Sequence, residues 1–275
     1  MGILEAVVLG VVQGLTEFLP ISSTAHLRAV PALLGWADPG AAYSAAIQLG
    51  SVVALFAYFR NDIVTLAVGA FKAIRKGAID TQEARIAGAI IIGTIPICVL
   101  GLLFKPILEQ NDGPLRSLTL IGTASIVMGL LLLVAEKIGK HTRKLDSIGA
   151  KDGLIIGLGQ AIALIPGCSR SGSTLTVAML SNLKREDAAR FSFLLGIPAT
   201  TLSGLLELVH LFKDQPANLS VPDLVVGTLV SAIVSYAAIA WLLKFLSSHS
   251  TWVFIVYRII FGTTLIVLSS MKMIH

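Results

Sequence analysis

Apolar residues in this chain run in long blocks, separated by short polar stretches. Six blocks, at about 41–59, 86–104, 117–135, 190–211, 223–246 and 252–270, are each long enough to cross a bilayer as a helix, which takes about 20 residues. Two further segments, 3–34 and 153–182, hold two shorter apolar halves around a polar cluster, LPISSTAH at 19–26 and IPGCSRSGST at 165–174. An unbroken span does not carry such clusters, because lipid offers no partner to the backbone groups they free. The pattern therefore predicts two re-entrant helical hairpins buried in protein.

The two broken segments resemble each other. A shift of 146 carries Pro20 onto Pro166, Ser23 onto Ser169, and Leu49-Gly50 onto Leu195-Gly196. Each copy then reads as one re-entrant pair followed by three spans, and an odd number of crossings inverts the second copy. The expected fold is an all-α polytopic membrane protein, one integral membrane domain over 1–275, with repeats at 1–136 and 150–275 related by inverted topology.

Composition agrees. Of the 275 residues, 55% are apolar and 13% charged, with a mean hydropathy of +0.85. A soluble domain carries about twice that charged fraction. The net charge of +5 does not point to nucleic acid, because the basic residues sit in loops rather than on one face. They concentrate in 60–85, 136–151, 182–190 and 244–251, whereas the opposite side carries Arg28, Lys105, Arg116, Lys213 and Lys272. The positive-inside rule makes the first side cytoplasmic and places both termini outside. The first hairpin then enters from outside and the second from the cytoplasm, so their tips meet at mid-membrane. Cys98 and Cys168 lie in apolar segments and form no disulfide or metal framework. The first twenty residues lack a basic n-region and a cleavage pattern, and read as part of the mature chain.

A few polar residues interrupt this economy. Gln13 and Glu17 are four apart and share a helix face, and an ionisable residue in an apolar segment marks a functional site by default. Ser23 and His26 lie within one turn just after Pro20. Two readings stand: the imidazole activates the hydroxyl or protonates a leaving oxygen, or the serines cap a helix and the histidine is structural. The second cluster, Gly167, Ser169, Arg170, Ser171, Ser173 and Thr174, combines a glycine turn, hydroxyls and one guanidinium at a helix start, the donors a phosphate needs. It matches neither a P-loop nor a dinucleotide fingerprint. One tip thus offers carboxylate, hydroxyl and imidazole, the other an anion cradle, and together they predict a phosphoryl site in the membrane. Glu17 with Gln13 would hold a divalent cation, Mg2+ or Ca2+, through oxygen.

Other features carry less chemistry. Gly10 and Gly14, like Gly153 and Gly157, are spaced for close helix packing, and small-residue faces are the basis for expecting a homodimer. The 60–85 stretch reads as an amphipathic helix at the inner surface. Arg258, beside Tyr257, is expected to snorkel to the cytoplasmic interface, with a buried partner as the other reading.

The stretches QGLTEFLPISSTAH at 13–26, PGCSRSGST at 166–174 and FSFLLGIP at 191–198 resemble the bacterial undecaprenyl-diphosphate phosphatase family of the bacitracin-resistance type, along essentially the whole chain. That resemblance implies metal-dependent hydrolysis of undecaprenyl diphosphate to the monophosphate and phosphate, at the outer face of the cytoplasmic membrane. The reaction would recycle the lipid carrier for peptidoglycan. The resemblance also implies Glu17 as essential carboxylate, Ser23 and His26 as nucleophile and acid–base candidates, and Arg170 with Ser169 and Thr174 as phosphate binders. Gln13 departs from the pattern, since many members carry a second glutamate there. The rival class is a polyprenyl-phosphate transporter or flippase, for which inverted repeats and broken helices are usual.

Overall fold

Both interrupted segments fold as helix, break, helix. Helix α1 (Ile3–Phe18) begins where the Gly2 amide donates to the Glu5 carboxylate at 3.1 Å, and it stops before Pro20. Helix α2 (Ser23–Leu34) follows. After α3 (Gly40–Tyr58), α4 (Arg60–Lys76), α5 (Gln82–Leu108) and α6 (Leu118–Ile138), the second break is flanked by α7 (Ala150–Ala161) and α8 (Arg170–Leu180). Helix α7 starts as α1 does, with the Gly149 amide donating to Asp152 at 3.1 Å. The chain ends with α9 (Arg185–Asp214), α10 (Val221–Ser248) and α11 (Trp252–Ser270). This is a computed structural model, and it describes residues 1–38, 40–108, 117–214 and 220–274. Among the described residues all regular structure is helical, apart from one isolated bridge between Arg143 and Leu183.

The second helix of each hairpin is capped by a serine in an unusual conformation. Ser22 (φ 78°) accepts from the Ala25 amide, and Ser169 (φ 70°) accepts from the Gly172 amide. A non-glycine residue at positive φ is strained, so both tips are held by their surroundings. The caps pair Ser22 with Ser169, as Gly2 pairs with Gly149 and Gln13 with Gln160. These positions correspond at a shift of 147 and the prolines at 146, because the proline stands two residues before the capping serine in the first break and three before it in the second.

Helices α5, α6, α9, α10 and α11 are long and apolar enough to cross a membrane. At about 1.5 Å per residue, the 28 residues of α10 exceed a hydrocarbon core of about 30 Å. The remaining expected span, 41–59, is α3, which turns by 71° into α4 at Phe59. Beyond the turn, Val64, Val68, Phe71 and Ile74 form an uncovered apolar stripe along α4.

Packing is closest where glycines lie. Gly10 and Gly14 set α1 against Gly227, Val230 and Val234 of α10, and Gly153 and Gly157 set α7 against Ala89 and Gly93 of α5. Backbones approach there without a Cβ between them, the close contact on which helix association in lipid depends. Both small-residue faces are thus taken up inside the chain and give no support to a homodimer. Helix α6 packs on α11, and α3 on α9 and α10. In the core, the Phe18 ring meets that of Phe193 edge-on at 5.3 Å, which anchors the end of α1 beside Glu17.

The loops expected to share the cytoplasmic side are tied by ion pairs. Arg143 grips Asp152 with two bonds of 2.8 Å, Arg190 reaches Asp62 at 2.6 Å, and Arg185 pairs with Glu136, which also accepts from Thr251. Of the residues assigned to the opposite side, Arg116 lies outside the described residues, as do the side chains of Lys105 and Lys213.

Candidate active site

Helix α1 brings Gln13 and Glu17 onto one buried face, and the break at Pro20 turns the chain so that Ser23, the first residue of α2, lies over the same carboxylate. The Ser23 hydroxyl donates to Glu17 Oε2 at 2.8 Å, and Gln13 Nε2 donates to the same oxygen at 3.1 Å. Glu17 Oε1 accepts from Arg170 Nη2 at 3.0 Å, across from the second hairpin. Glu17 is the hub where both tips meet.

Arg170 carries the anion-binding capacity of the second tip. Its Nε and Nη1 are buried and have no partner in the chain. A buried guanidinium with unused N–H groups beside a nucleophile is suited to a phosphate's oxygens. Its path runs over Gly196 of α9, where a Cβ would occupy the place of the guanidinium.

The hydroxyls of the second cluster do not converge on one point. Ser169 Oγ accepts from Gly172 and shares a bond with Ser171, whose own hydroxyl reaches back to the Leu19 carbonyl at 3.0 Å. Thr174 is fully buried, and its hydroxyl bonds the Arg170 and Ser171 carbonyls and Ser192. Gly167, at φ +93°, offers its carbonyl to Arg258. These groups shape the tip. Ser173 Oγ is buried and without a partner.

His26 and Ser23, both on α2, hydrogen-bond to different partners. Its Nδ1 lies 2.7 Å from the Ser22 carbonyl, which only accepts, so Nδ1 carries the proton and donates. Its Nε2 receives the Tyr257 hydroxyl at 2.6 Å, and the ring stacks on Phe261 at 4.2 Å. Both nitrogens are occupied, and the structural reading of His26 is the one the geometry supports.

Arg258 corrects an expectation. It does not snorkel: it is 1% exposed, and its guanidinium donates to the carbonyls of Ser125, Pro20, Gly167 and Cys168. Sequence reasoning also missed the hydroxyls behind Gln13. Gln13 Nε2 lies 3.4 Å from Ser51 Oγ, which bonds Ser231 at 3.2 Å and Ser235 at 2.9 Å. The spacing of Ser231 and Ser235, one turn apart within an apolar span, was the available signal.

The donor set does not build a cation site by itself. Glu17 is the one carboxylate present, its charge is already met by Arg170, and Gln13 turns an amide nitrogen toward it. Among the described residues no group of three or more His, Cys, Asp or Glu is placed to hold a metal ion.

The comparisons with known proteins bear on this geometry. A family model described as bacitracin resistance protein BacA matches residues 6–264. The chain is 54% identical over 266 residues to an undecaprenyl-diphosphatase of Gloeobacter violaceus, covering 97% of this chain and 91% of the relative. It is 55% identical over 259 residues to one of Synechococcus elongatus, with 94% and 90% covered. A relative of the same name from Synechocystis is 53% identical over 267 residues, with 97% and 82% covered. With matches of this extent, spanning both hairpins and every helix between them, the chain belongs to the bacitracin resistance protein BacA family.

Proposed function

We propose that this protein is a membrane phosphatase that hydrolyses undecaprenyl diphosphate to undecaprenyl phosphate and inorganic phosphate. The observation that carries this reading is the continuous contact from the Ser23 hydroxyl through the Glu17 carboxylate to Arg170, joining a nucleophile, a base and an anion binder across two hairpins. The names of its relatives point to the same substrate.

In this reading the unpartnered N–H groups of Arg170 hold the terminal phosphoryl group. Ser23 Oγ attacks phosphorus while Glu17 Oε2 takes its proton. The bond to the bridging oxygen breaks, and undecaprenyl phosphate leaves with that proton. A water then attacks the phosphoserine and gives its proton to Glu17. The bond from phosphorus to Oγ breaks, Glu17 returns the proton to Ser23, and phosphate departs. Charge developing on the phosphoryl oxygens is met by Arg170, already positioned and partly desolvated. A divalent cation would be held through oxygen by Glu17 and Gln13 only with substrate oxygens completing the donor set, and would neutralise charge on the diphosphate.

The two halves are proposed to be inverted-topology repeats meeting at mid-membrane. The matched helix starts at Gly2 and Gly149, the matched caps at Ser22 and Ser169, and the reciprocal packing of α1 on α10 and α7 on α5 support this. The charge asymmetry of the loops supports placement in the bacterial cytoplasmic membrane with the site opening outward, where the reaction would recycle the lipid carrier for peptidoglycan and confer bacitracin resistance. A transporter has no use for a serine hydroxyl held on a carboxylate, so the flippase reading is not favoured.

The test is phosphate release from a long-chain polyprenyl diphosphate by protein in detergent, with and without chelator. Chelator-sensitive turnover that Glu17→Ala, Ser23→Ala and Arg170→Ala each reduce by at least about a hundredfold supports the reading. No release by folded wild-type protein, across several lipid diphosphates and metals, overturns it.

A further inference from the structure

Among the described residues Arg258 is the largest fully buried side chain, and its hydrogen bonds there include no carboxylate partner. Its bonds are distributed by direction. Nε donates to the Ser125 carbonyl of α6 at 3.0 Å, Nη1 to Pro20 at the first break at 2.9 Å, and Nη2 to Gly167 and Cys168 at the second break at 2.8 and 3.3 Å. Ser125 Oγ returns a bond to the Arg258 carbonyl. Room for the group is kept by glycine: a Cβ on Gly172 would lie 3.1 Å from Nη1, and one on Gly129 would lie 3.2 Å from the Arg258 Cβ.

A buried cation in an apolar bundle is costly, and stability alone is as well served by a packed apolar side chain. The planar fork does something an apolar residue cannot do. It ties the backbone just before Ser23 to the backbone just before Arg170, and refers both to α6. We propose that Arg258 is a positioning residue that sets the distance between the tip bearing the nucleophile and the tip that grips the phosphate. This inference rests on the site assigned above. Arg258 touches no reacting group and acts through the carbonyls of Pro20, Gly167 and Cys168. Lysine, with one compact ammonium, has no planar fork and cannot reach in three fixed directions at once.

The experiment uses full-length protein in a Cys98→Ala background, which leaves Cys168, 5% exposed at the second tip, as the single thiol. Arg258→Lys and Arg258→Gln are compared for kcat, KM and the rate of Cys168 alkylation by a membrane-permeant maleimide. Misplacement of reacting groups by about 1 Å costs about a hundredfold, so kcat is expected to fall by about that factor in the glutamine variant and by about tenfold in the lysine variant. KM is expected to stay within about threefold, because Arg170 still binds the diphosphate, and Cys168 is expected to react about tenfold faster as its tip is released. Unchanged kcat, a loss confined to KM, an unchanged alkylation rate, or failure of both variants to fold would each overturn the proposal. Glu17→Gln and Arg170→Ala run alongside: if those two retain turnover, the site assignment fails instead, and Cys168 reactivity still reads the clasp.

Discussion

The Ser23 hydroxyl and Glu17 Oε2 lie 2.8 Å apart, and the other Glu17 oxygen is held by Arg170 at 3.0 Å. One carboxylate therefore faces both the nucleophile and the phosphate binder. Glu17→Gln keeps the shape and removes the base, so kcat is expected to fall by about 10³-fold. The same change leaves Arg170 without its counter-charge, so KM for the diphosphate is expected to fall rather than rise. Steady-state phosphate release at several substrate concentrations separates the two effects. A rise in KM with kcat intact would place Glu17 in binding alone.

Gly196 and Arg170 form a second dependent pair, because the guanidinium occupies the space a side chain at 196 would need. Gly196→Ala is expected to lower kcat/KM by about 10- to 100-fold by turning the arginine out of line. In an Arg170→Ala background the same change is expected to cost less than about twofold, since nothing remains to be displaced. A double-mutant cycle measures the difference. Additive losses would show that Gly196 acts on helix packing instead.

Tyr257 bears on the role of His26. Its hydroxyl engages Nε2 at 2.6 Å while Nδ1 holds the Ser22 carbonyl, so the imidazole supports the strained cap beside Ser23. Tyr257→Phe removes one hydrogen bond and is expected to reduce kcat by less than about tenfold, with the pH–rate profile unmoved. A hundredfold loss with a displaced acidic or basic limb would restore His26 as the acid–base group.

Gln13 Nε2 lies 3.1 Å from Glu17 Oε2, so Gln13→Glu would place two carboxylates within hydrogen-bonding distance. Like charges that close favour a shared proton or a bound cation. The variant is expected to need about tenfold less divalent cation for half-maximal activity than wild type and to be more sensitive to like-charge repulsion when the cation is removed. Activity titrated against Mg2+ and Ca2+ checks this. An unchanged requirement would show that the cation is held by substrate oxygens alone.

Much of the site was legible because lipid makes polar residues expensive. Glu17, Ser23 and Arg170 stood out as interruptions in apolar sequence, and the structure brings the three into contact. Thr174 and His26 stood out for the same reason, yet their polar atoms bond neighbours within the fold. Interruption identifies a group that needs a partner, and does not say whether the partner is substrate or protein. The sequence leaves Arg258 two readings because its position within its span matches a residue able to reach the interface, and only the neighbouring carbonyls show that it turns inward.

What the chain determines by itself are the properties that each segment has alone: which stretches are apolar enough to span, where proline and serine clusters must break a helix, and which loops carry the basic residues. These follow from the local cost of placing backbone and charge in hydrocarbon. Tertiary structure alone decided that Glu17 and Arg170, 153 residues apart, share an ion pair, and that Arg258, 238 residues from Pro20, ties the two breaks together. Those contacts depend on how α1, α8 and α11 pack around one another. A helix's own sequence does not contain that information, because in lipid nearly every apolar face packs as well against a neighbour as against the membrane.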